Sequence, residues 1–576
     1  MPKLTVANYV VQRLAVLGIR HVFGVPGDYS FPLNNAFEAS EHISWVACAN
    51  ELNAGYAADG YARAHGAAIL CTTYGVGELS ALNAVMGSKA ERLPVFHVVG
   101  APSKRTQRSH KPMHHSLGDG AFEQFFSVSA AATCVSAILT PENVIVEMER
   151  LIHEALSQQR PAYLMIPADY ALMEVLGTLP ENTSLSKLPI LASEPGEFSA
   201  ALAMILKRLE QAQSPVVLPS FTVARYGLQK ELEKFLTLSG IPYATTLMDK
   251  GVISESHPNY LGMYTGSSSQ AEVSKRVESA DLVINLGGVL FTDLSTMFFS
   301  QQLHHAHMIT IWPDYVEAGG NLSMVTSQSK TYGPIAMGDL FAALIQEVPH
   351  FKKKPPIALK SKHDSQNALI GRPEDPVCTE SLYPRLQRFL KPNDQLVVET
   401  GLCMLPMASM LLPKGTTYFN QTLWGSIGWA TAATLGVALA HPERRTILIT
   451  GDGAHQVTAN ELGTMGRYGL KPIIILLNDG VYAIEEFLEQ NRGHVYNGLA
   501  PWAYSKLPET MGCQDWFSVR VHTNAELDTA LAKAQDADTA CYLEIFLGST
   551  LKAPAPAAMV EALNQTAPPR DLPTNK

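Results

Sequence analysis

The sequence predicts an α/β protein made of three doubly wound domains with parallel sheets, and three observations support this prediction. Short apolar runs alternate with stretches of helical periodicity over most of the 576 residues, which is the pattern of repeated βαβ units. The length is several times that of a typical domain of about 150 residues. Two linkers rich in proline and polar residues, 177–197 and 351–376, divide the alternating pattern into three blocks.

The first block, residues 1–180, contains five strand-like apolar runs with helical patterns between them. Buried parallel strands have this composition. The predicted strands are His21–Val25, Trp45–Cys48, Ala68–Thr72, Val95–Val99 and Tyr163–Ile166. The predicted helices are Glu51–Arg63, Glu78–Ala90 and Pro141–Ser157. Met1–Gly18 is predicted to be an amphipathic helix and not a signal peptide, because polar residues interrupt it.

The second block, residues 195–350, and the third block, residues 377–550, show the same alternation. In the second block, the predicted strands are Val216–Leu218, Tyr243–Thr246, Leu282–Leu286 and Met308–Ile311, with a helix at Gly227–Leu238. In the third block, the predicted strands are Leu396–Glu399, Thr446–Thr450, Ile473–Leu477 and Tyr542–Phe546, with helices at Ile427–Ala440 and Ala454–Tyr468. Residues 551–576, which carry five prolines, are predicted to form a C-terminal arm.

Composition and charge exclude several classes of function. Acidic residues outnumber basic ones by 53 to 43, for a formal net charge of -10, so nucleic acid is not an expected partner. No run of about 20 apolar residues is present, so no membrane-spanning segment is expected. The seven cysteines form no Cys-x-x-Cys pair, which favours reduced thiols in the cytoplasm and argues against structural zinc. An apolar fraction of 46% suits a large core and contacts between subunits.

The most specific motif is Gly451-Asp452-Gly453, followed by Asn478-Asp479 at the end of the next predicted strand. In a right-handed βαβ unit both strands are parallel, so Asp452 and Asp479 are expected at the same carboxyl edge of the sheet. Glycine lets the backbone approach closely, and a helix start offers amides to an anion. Two hard oxygen ligands beside a diphosphate are typical of Mg²⁺ sites. A turn with a helix cap explains Gly-Asp-Gly by itself, but the spacing and the flanking strands favour the metal site.

At this motif the chain resembles the thiamine-diphosphate-dependent enzymes, whose magnesium motif is Gly-Asp-Gly followed, about two dozen residues later, by Asn-Asn. The stretch Gly480-Val481-Tyr482-Ala483-Ile484-Glu485 is similar to that of pyruvate and indolepyruvate decarboxylases, and the resemblance covers about residues 3–550. It implies that Asp452, Asp479 and the backbone carbonyl of Val481 bind Mg²⁺. Asp479 and Val481 stand where the family usually has Asn and Gly. The added carboxylate is expected to strengthen the metal requirement or to weaken cofactor affinity.

The resemblance implies that Glu51 activates the cofactor. The segment Ala49–Arg63 is similar to the family stretch whose glutamate is hydrogen-bonded to the aminopyrimidine ring of thiamine diphosphate. By itself, a glutamate in a first helical turn complements the helix dipole. The family places this glutamate across a subunit interface from the diphosphate site. The resemblance therefore implies a homo-oligomer with active sites at the dimer interface, and a tetramer is expected.

The segment Trp424–Trp429 resembles the part of the family that bends the cofactor over a bulky apolar residue. The resemblance makes Ile427 this wedge and makes the carbonyl of Gly425 the acceptor for the amino group of the cofactor. A helix start packed by two tryptophans is the structural alternative, and the two interpretations are compatible. Further implied cofactor contacts are Thr73, Thr400, Gly451, Asp452, Gly453, Ala454, Asp479, Tyr482, Ala483 and Ile484.

Acid–base groups favour a decarboxylase over other members of the family. The adjacent His114 and His115 resemble the signature of 2-oxo acid decarboxylases, and acetolactate synthases and oxidases lack this pair in that context. Asp28 follows the first predicted strand, although an Asx turn also explains it. The resemblance assigns Asp28 and His115 to a proton relay and His114 to its support. It assigns Glu485 to protonation or to positioning of the substrate carboxylate, and such groups supply protons near neutral pH.

The predicted substrate is a 2-oxo acid larger than pyruvate. Relatives that prefer pyruvate crowd the pocket with aromatic residues, whereas this chain has Met404 and Leu294 in the corresponding regions. Ile484 and Leu488, one helical turn apart, are predicted to line the pocket wall. Flexible and aliphatic side chains leave room for branched or aromatic substrates.

Two other functions stay open at this point. The first is a thiamine-dependent carboligase, synthase or oxidase that uses FAD in the second block, although Leu286-Gly287-Gly288 lacks the Gly-x-Gly-x-x-Gly fingerprint. The second is a catalytically silent assembly protein with the same fold, against which the intact Glu51 and paired histidines argue. The main prediction is a lyase, dependent on thiamine diphosphate and Mg²⁺, that converts a 2-oxo acid into an aldehyde and CO₂.

Overall fold

The structure is a computed structural model that describes residues 4–177, 191–319, 329–348, 369–488 and 493–547. The predicted C-terminal arm, residues 551–576, lies outside the described residues, as do most residues of the two predicted linkers. The strands are β1 (His21–Gly24), β2 (Ser44–Ala47), β3 (Ala68–Thr73), β4 (Val95–Ala101), β5 (Val135–Ile138), β6 (Ala162–Pro167), β7 (Pro215–Pro219), β8 (Tyr243–Thr245), β9 (Tyr260–Met263), β10 (Leu282–Leu286), β11 (Met308–Ile311), β12 (Val316–Ala318), β13 (Lys330–Tyr332), β14 (Gln395–Val398), β15 (Thr417–Phe419), β16 (Thr446–Gly451), β17 (Ile473–Asn478), β18 (Phe517–Val521) and β19 (Cys541–Phe546).

The helices of the described residues alternate with these strands. They are α1 (Val6–Ala15), α2 (Phe31–Glu38), α3 (Glu51–His65), α4 (Val76–Ala90), α5 (Lys104–Arg108), α6 (Gln124–Ala131), α7 (Val144–Gln158), α8 (Ala168–Ala171), α9 (Pro195–Gln211), α10 (Phe221–Arg225), α11 (Gln229–Ser239), α12 (Ala271–Glu278), α13 (Met337–Glu347), α14 (Thr379–Phe389), α15 (Met404–Ser409), α16 (Trp429–Ala440), α17 (Asp452–Thr458), α18 (Glu461–Arg467), α19 (Ala483–Leu488), α20 (Leu507–Thr510) and α21 (Asn524–Asp536). Three sheets, one in each block of the sequence, confirm the predicted α/β fold.

The first sheet has six strands in the order β2-β1-β3-β4-β6-β5, and all its pairs are parallel. Its central strands β3, β4 and β6 are buried along their whole length. Burial on both faces removes the need for polar residues at alternate positions. This explains why these strands appear in the sequence as continuous apolar runs.

The third sheet repeats the topology of the first. Its six strands have the order β15-β14-β16-β17-β19-β18, again with parallel pairs throughout. Counted from the first strand of each domain, both sheets have the order 2-1-3-4-6-5. Loops after the central strands therefore meet at the carboxyl edge of each sheet, where ligands bind in folds of this type.

The middle sheet departs from the prediction of purely parallel strands. It has seven strands in the order β13-β12-β11-β10-β7-β8-β9. Strands β7 to β11 pair in parallel, but β12 pairs antiparallel with both β11 and β13. The four residues that connect β11 to β12 are too few for a helical crossover, so these neighbouring strands run antiparallel.

The prediction of one continuous helix over Ala454–Tyr468 is wrong, because α17 and α18 are separated by a break at Ala459 and Asn460. Tertiary contacts explain the break. The side-chain amide of Asn53 in the first domain donates to Asn460 Oδ1 at 2.9 Å and to Glu461 Oε2 at 2.7 Å. These hydrogen bonds fix the chain at the break, and local helical propensity does not report them.

The start of one helix and the presence of six strands also differ from the sequence prediction. The helix predicted from Ile427 begins at Trp429, because Gly428 has a φ of +86° and ends the preceding loop. Most of the strands that the sequence analysis missed lie at or near sheet edges, where fewer residues are buried; these are β5, β9, β12, β13, β15 and β18.

Helix α16 packs against α3 and joins the third domain to the first. A Cβ at Gly60 would clash with the backbone of Ala433, and a Cβ at Gly436 would clash with the backbone of Ala57. Glycine is therefore required where the two helix backbones touch. The indole nitrogen of Trp429 donates to Asp59 at 2.7 Å across this contact. Within the described ranges, no helix is both long enough and apolar enough to span a bilayer.

Candidate active site

One group of predicted residues lies at the carboxyl edge of the first sheet. Asp28 follows β1, Glu51 begins α3 after β2, and Thr73 ends β3. His114 and His115 lie in the loop that follows β4. Because β1 to β4 belong to one parallel sheet, the loops after them emerge at the same edge. The fold thus brings the predicted residues, which belong to different sequence motifs, to one side of the first domain.

Asp28, His114 and His115 form a compact cluster. Nε2 of His114 lies 2.8 Å from Oδ2 of Asp28. The ring of His114 stacks on Tyr29 with centroids 4.8 Å apart, and it meets the ring of His115 edge-on at 4.7 Å. One ligand atom from each of the three residues lies within 4.8 Å of the others. A direct hydrogen bond and one bridging water suffice to pass a proton through such a cluster.

The backbone of His115 is held in the left-handed region, with a φ of +62°, which residues other than glycine rarely adopt. Its carbonyl oxygen lies so close to Gly75 that a Cβ on Gly75 would clash with it. Nδ1 of His115 is buried and has no hydrogen-bond partner among the described residues. A buried polar nitrogen that lacks a partner is available to a bound ligand.

Glu51 lies at the same edge of the first sheet, at the start of α3. The helix start is fixed by Asn50, whose Oδ1 accepts from the backbone N–H of Asn53 at 2.8 Å. A Cβ on Gly77 would lie 3.3 Å from Oε1 of Glu51 and 3.1 Å from the methyl group of Thr73. Gly77 therefore leaves room for the Glu51 carboxylate next to Thr73, whose Oγ1 is buried without a partner in the described part of the chain.

A second group of predicted residues lies at the carboxyl edge of the third sheet. Asp452 follows β16 and Asp479 follows β17, and these strands are parallel neighbours. Asp452 accepts from the backbone N–H groups of Gly480 and Gly453, each at 2.8 Å. Asp479 accepts from the N–H of Val481 at 3.4 Å. The two carboxylates converge, as the spacing of the motif predicted.

Burial is the main influence on the pKa values of the two aspartates, and Asp479 is also repelled by Asp452. Burial raises the pKa of Asp452 to about 6, although backbone N–H groups oppose this effect. Burial, and then repulsion by Asp452, raises the pKa of Asp479 to about 7. A divalent cation between them favours both ionised forms and offsets the repulsion. Carboxylate and carbonyl oxygens are the ligands that Mg²⁺ prefers, so the residues present fit this ion.

A pocket of about 440 Å³ adjoins the two aspartates, a volume typical of sites for small organic ligands. It contains most of the predicted cofactor contacts of the third domain, namely Thr400, Ile427, Gly451, Asp452, Gly453, Ala454, Asp479, Val481, Tyr482, Ala483 and Ile484. A Cβ on Gly451 or Gly401 would meet no atom within 4 Å. Open space therefore borders the backbone at both positions, which suits a bound diphosphate.

Residues 425–428, the wedge loop, contribute Ile427 to the lining of the pocket, whereas Gly425, a predicted cofactor contact, is not among its lining residues. Gly425 and Gly428 have φ values of +65° and +86°. Between them, the side chain of Ile427 lines the pocket and is 37% exposed. A Cβ on Gly428 would lie 2.7 Å from Val457, so glycine is required there. An apolar side chain presented to a pocket in this way is suited to contact with a bound ring.

Glu399 is a buried carboxyl that the sequence analysis treated only as the end of a strand. Its Oε2 accepts from the N–H groups of Gly428 and Ala430, both at 3.2 Å, and its Oε1 accepts from that of Thr400 at 3.0 Å. Two of these donors belong to the start of α16, where N–H groups have no partner within the helix. Burial raises the pKa of Glu399 to about 8. The carboxyl of Glu399 connects the end of β14 to the wedge loop. In the sequence, its position directly before the predicted cofactor contact Thr400 was the feature that pointed to a functional role.

The predicted substrate-pocket residues divide into two sets. Ile484 lines the pocket. Met404 is 3% exposed and packs against Leu247 and Ala408 at the contact with the middle domain. The structure thus places Met404 away from the pocket lining, because the first turn of α15 faces the neighbouring domain.

Other side chains take the place expected for Met404. Leu402, Leu405 and Phe487 line the pocket, together with Tyr383 from α14. Leu294, in the middle domain, and Leu488, at the end of α19, do not line this pocket within the described part of the chain. The pocket wall is partly aliphatic, but it also contains the aromatic side chains of Tyr383, Tyr482 and Phe487, which the sequence analysis did not predict as substrate-pocket residues.

The two groups of candidate residues do not share one pocket within a single chain. All described residues that line the pocket beside Asp452 belong to 379–547, in the third domain. Asp28, Glu51 and the two histidines belong to the first domain. Glu485 is exposed in the first turn of α19, next to Ile484, and its backbone N–H donates to the carbonyl of Tyr482 at 3.0 Å.

Comparisons with known proteins agree with this arrangement of domains. The N-terminal TPP binding domain of thiamine pyrophosphate enzymes matches residues 4–124, their central domain matches 202–329, and their C-terminal TPP binding domain matches 400–545. The two edges described above therefore belong to the two domains for which thiamine pyrophosphate binding is described.

Full-length relatives extend this result. The chain is 38% identical to the alpha-keto-acid decarboxylase of Mycobacterium avium (strain 104), over 98% of this chain and 97% of the relative. It is 37% identical to that of Mycobacterium ulcerans (strain Agy99), over 99% and 97%. It is 37% identical to that of Mycobacterium tuberculosis (strain ATCC 25618 / H37Rv), over 92% of each chain. The chain therefore belongs to the family of thiamine-diphosphate-dependent 2-oxo acid decarboxylases.

Proposed function

We propose that the protein removes CO₂ from a 2-oxo acid and releases an aldehyde, with thiamine diphosphate and Mg²⁺ as cofactors. The observation that carries this proposal is the cluster of Asp28, His114 and His115 at the sheet edge that also presents Glu51. Decarboxylation to an aldehyde requires a proton donor after CO₂ has left. A carboxylate and two imidazoles within 4.8 Å supply such donors at one place.

The third domain is proposed to hold the diphosphate end of the cofactor. Asp452, Asp479 and the carbonyl of Val481 would bind Mg²⁺, and the open backbone at Gly451 would accept the phosphates. Ile427 would contact the cofactor rings from the wedge loop. The oxygen donors, the raised pKa values of both aspartates and the pocket volume support this assignment.

The first domain is proposed to supply the acid–base groups. When bound, thiamine diphosphate supplies a nucleophilic carbon and accepts the electrons released with CO₂. Glu51 would hold a proton at the pyrimidine ring of the cofactor. Asp28 and His115 would deliver the proton that replaces CO₂, with His114 fixed between Asp28 and Tyr29 in support.

Glu485 would orient the substrate carboxylate or protonate the product. Apolar residues such as Leu402 and Phe487 would exclude water from the carboxylate that is lost. A low dielectric favours loss of CO₂, because negative charge on the carboxylate disappears in that step.

A homodimer with composite sites is proposed as the active unit, and a tetramer as the full assembly. Two observations support composite sites. The described lining of the pocket comes from the third domain alone. Apolar side chains are also exposed at both edges: Val76 and Leu79 near the first group, and Trp424 and Ile427 at the wedge loop. Exposed apolar residues clustered at a site are typical of protein–protein contacts.

A cytoplasmic location is proposed with the function. All seven cysteines are free thiols, which suits a reducing compartment.

A direct test is an assay of aldehyde and CO₂ with pyruvate, a branched-chain 2-oxo acid and phenylpyruvate. The protein would first be stripped with EDTA and then reloaded with thiamine diphosphate and Mg²⁺. We expect turnover only with both cofactors present. Absence of CO₂ release from every acid tested would contradict the proposal, and release that needs an added electron acceptor would favour an oxidase.

The variant Glu485→Gln adds a test of the proposed chemistry. It keeps the size of the side chain but removes the acidic group, so we expect aldehyde formation to fall by about 10²-fold or more with cofactor binding retained. The matched control is Glu443→Gln, which alters an exposed glutamate away from the pocket. Equal turnover of the two variants would remove Glu485 from the mechanism.

A further inference from the structure

The cluster of Asp28, His114 and His115 has the composition of a transition-metal site. It offers one carboxylate oxygen and two imidazole nitrogens, and these atoms lie within 4.8 Å of one another. Ligands of a tetrahedral Zn²⁺ ion, each about 2.0–2.1 Å from the metal, are separated by less than this distance. We propose that this cluster is a second cation site of the protein, selective for Zn²⁺-like ions, and that its occupation inhibits the enzyme.

The two cation sites differ in the chemistry of their donors. Asp452, Asp479 and the Val481 carbonyl offer oxygen alone, which suits Mg²⁺. The cluster in the first domain is rich in imidazole nitrogen, which binds Zn²⁺, Cu²⁺ and Ni²⁺ in preference to Mg²⁺. The same protein therefore presents a hard site and a borderline site at the edges of two sheets with the same topology.

Hydrogen bonding at the cluster also favours a metal ion. The distance of 2.8 Å between His114 Nε2 and Asp28 Oδ2 requires a shared hydrogen between the two atoms. A metal ion that binds both atoms replaces that hydrogen. Nδ1 of His115 is buried without a partner among the described residues, so the cluster contains an unsatisfied nitrogen.

Neighbouring groups hold the ligands in place. The hydroxyl of Tyr29 lies 3.4 Å from His114 Nδ1 and donates to the His114 carbonyl at 3.2 Å. Contacts of this kind, beyond the ligands themselves, fix the orientation of a metal-binding imidazole. The close approach of the His115 carbonyl to Gly75 fixes the backbone of the second histidine. Little rearrangement is therefore needed before a metal binds.

Inhibition follows from the same geometry, and this part of the inference rests on the proposed function. A metal-bound imidazole nitrogen has no lone pair with which to accept a proton, and a metal-bound carboxylate is held in place. Asp28, His114 and His115 could then no longer deliver a proton after CO₂ has left. Micromolar Zn²⁺ is expected to inhibit turnover in excess Mg²⁺, and a chelator followed by fresh Mg²⁺ is expected to restore it.

The test measures metal binding separately from activity. The full chain, loaded with thiamine diphosphate and saturating Mg²⁺, would be titrated with Zn²⁺ against a chromogenic chelator. The same titration would be made on His114→Gln, His115→Gln and the control His42→Gln, which removes an exposed histidine elsewhere on the first domain. We expect one Zn²⁺ per chain in the wild type and the control, and an affinity at least about tenfold weaker in both cluster variants.

Two further measurements distinguish the loss of a metal ligand from the loss of folding in the variants. Co²⁺ bound to wild-type protein is expected to give the visible absorption of a site with nitrogen ligands, and thermal unfolding is expected to show that both variants remain folded. Zn²⁺ binding that is unchanged in the cluster variants, or that is abolished by Asp452→Asn, would overturn the inference. Zn²⁺ bound at the cluster of a protein that turns over no 2-oxo acid would contradict the proposed function and leave the metal site standing.

Discussion

The first and third domains share one strand order but carry different chemistry at the same edge. In the first domain, the loops after the parallel strands present Asp28, Glu51 and two histidines, for which we propose proton transfer. In the third domain, the loops after two central strands present Asp452 and Asp479, for which we propose cation binding. The fold therefore determines where functional groups emerge, and the loop sequences determine what those groups do.

The two edges also differ in their electrostatics. Burial raises the pKa values of Asp452, Asp479 and Glu399 in the third domain to about 6, 7 and 8. In the first domain, Asp28 and His114 are exposed and contact each other directly. One edge thus holds buried aspartates whose ionised forms a cation would stabilise, whereas the other keeps a hydrogen-bonded pair open to a ligand. This contrast leads to separate experimental signatures.

The largest expected effect comes from the first edge. Glu51→Gln is expected to lower kcat by about 10² to 10⁴-fold, because an amide cannot exchange a proton with the pyrimidine ring. Binding of Mg²⁺ and the diphosphate is expected to persist, since Asp452 and Asp479 are intact. Cofactor titration by tryptophan fluorescence and steady-state kinetics measure the two effects. If cofactor affinity fell as much as kcat, the result would contradict the proposal that the first edge serves catalysis and the third edge binds the cofactor.

Variants at the third edge are expected to show the opposite signature. Asp452→Asn replaces one of the two oxygens that accept backbone N–H groups with an amide nitrogen, which misplaces the metal ligand, so cofactor affinity in Mg²⁺ is expected to weaken by about 100-fold or more. Asp479→Asn is the matched variant: it keeps a ligand oxygen and removes the repulsion that raises the pKa of Asp479, so affinity is expected to be retained or improved. Titration of both proteins with thiamine diphosphate distinguishes them. Equal losses would contradict unequal roles for the two aspartates.

A smaller effect is expected on substrate preference. Leu402→Trp fills part of the pocket and is expected to lower kcat/KM for phenylpyruvate by about tenfold or more, with less effect on pyruvate. Met404→Leu is the control, because Met404 packs against the middle domain, and its preference is expected to match that of the wild type. A wild type that strongly prefers pyruvate would contradict the larger pocket.

The smallest effect concerns the pH dependence of stability. Burial raises the pKa of Glu399 from 4.5 to about 8, so the folded state favours the neutral carboxyl. This contribution is fully present below 4.5 and is lost as the pH rises through about 8. Glu399→Gln does not titrate, so the Tm of the metal-free wild type is expected to fall relative to this variant by about 3 °C per pH unit in that window. A Tm difference that is independent of pH would show that Glu399 is already ionised.

Sequence patterns predicted the parts of the fold and site that depend on local rules. The buried parallel strands were visible as apolar runs, and the convergence of Asp452 and Asp479 followed from the direction of neighbouring strands. The family resemblance added Glu51 and the paired histidines, which the structure places at one edge. Glu51 lies shortly after β2, and the histidines lie in the loop that follows β4 and α5, so the edge at which they emerge depends on topology more than on side-chain packing.

Tertiary contacts determined what the sequence did not predict. The break at Asn460 depends on hydrogen bonds from Asn53, which is more than 400 residues away in sequence. Met404 was predicted to lie in the pocket because the corresponding region of pyruvate-preferring relatives carries an aromatic residue, but its side chain packs against Leu247. The role of Glu399 depends on hydrogen bonds from backbone amides of the wedge loop, and the sequence pattern of one strand does not reveal them. Each of these features requires the positions of residues from different elements.

We propose that residues at the carboxyl edges of the first and third sheets form one active site, and that each edge comes from a different chain of a dimer. Two tagged variants, Glu51→Gln and Asp452→Asn, would be coexpressed and the hybrid isolated through both tags. One of its two sites then combines an intact Glu51 with an intact Asp452. At a cofactor concentration that saturates the wild type but not the Asp452→Asn parent, about half of wild-type turnover is expected, whereas each parent alone is expected to show little turnover. If the edges act within one chain, every site in the hybrid carries a lesion, and an inactive hybrid would contradict the account.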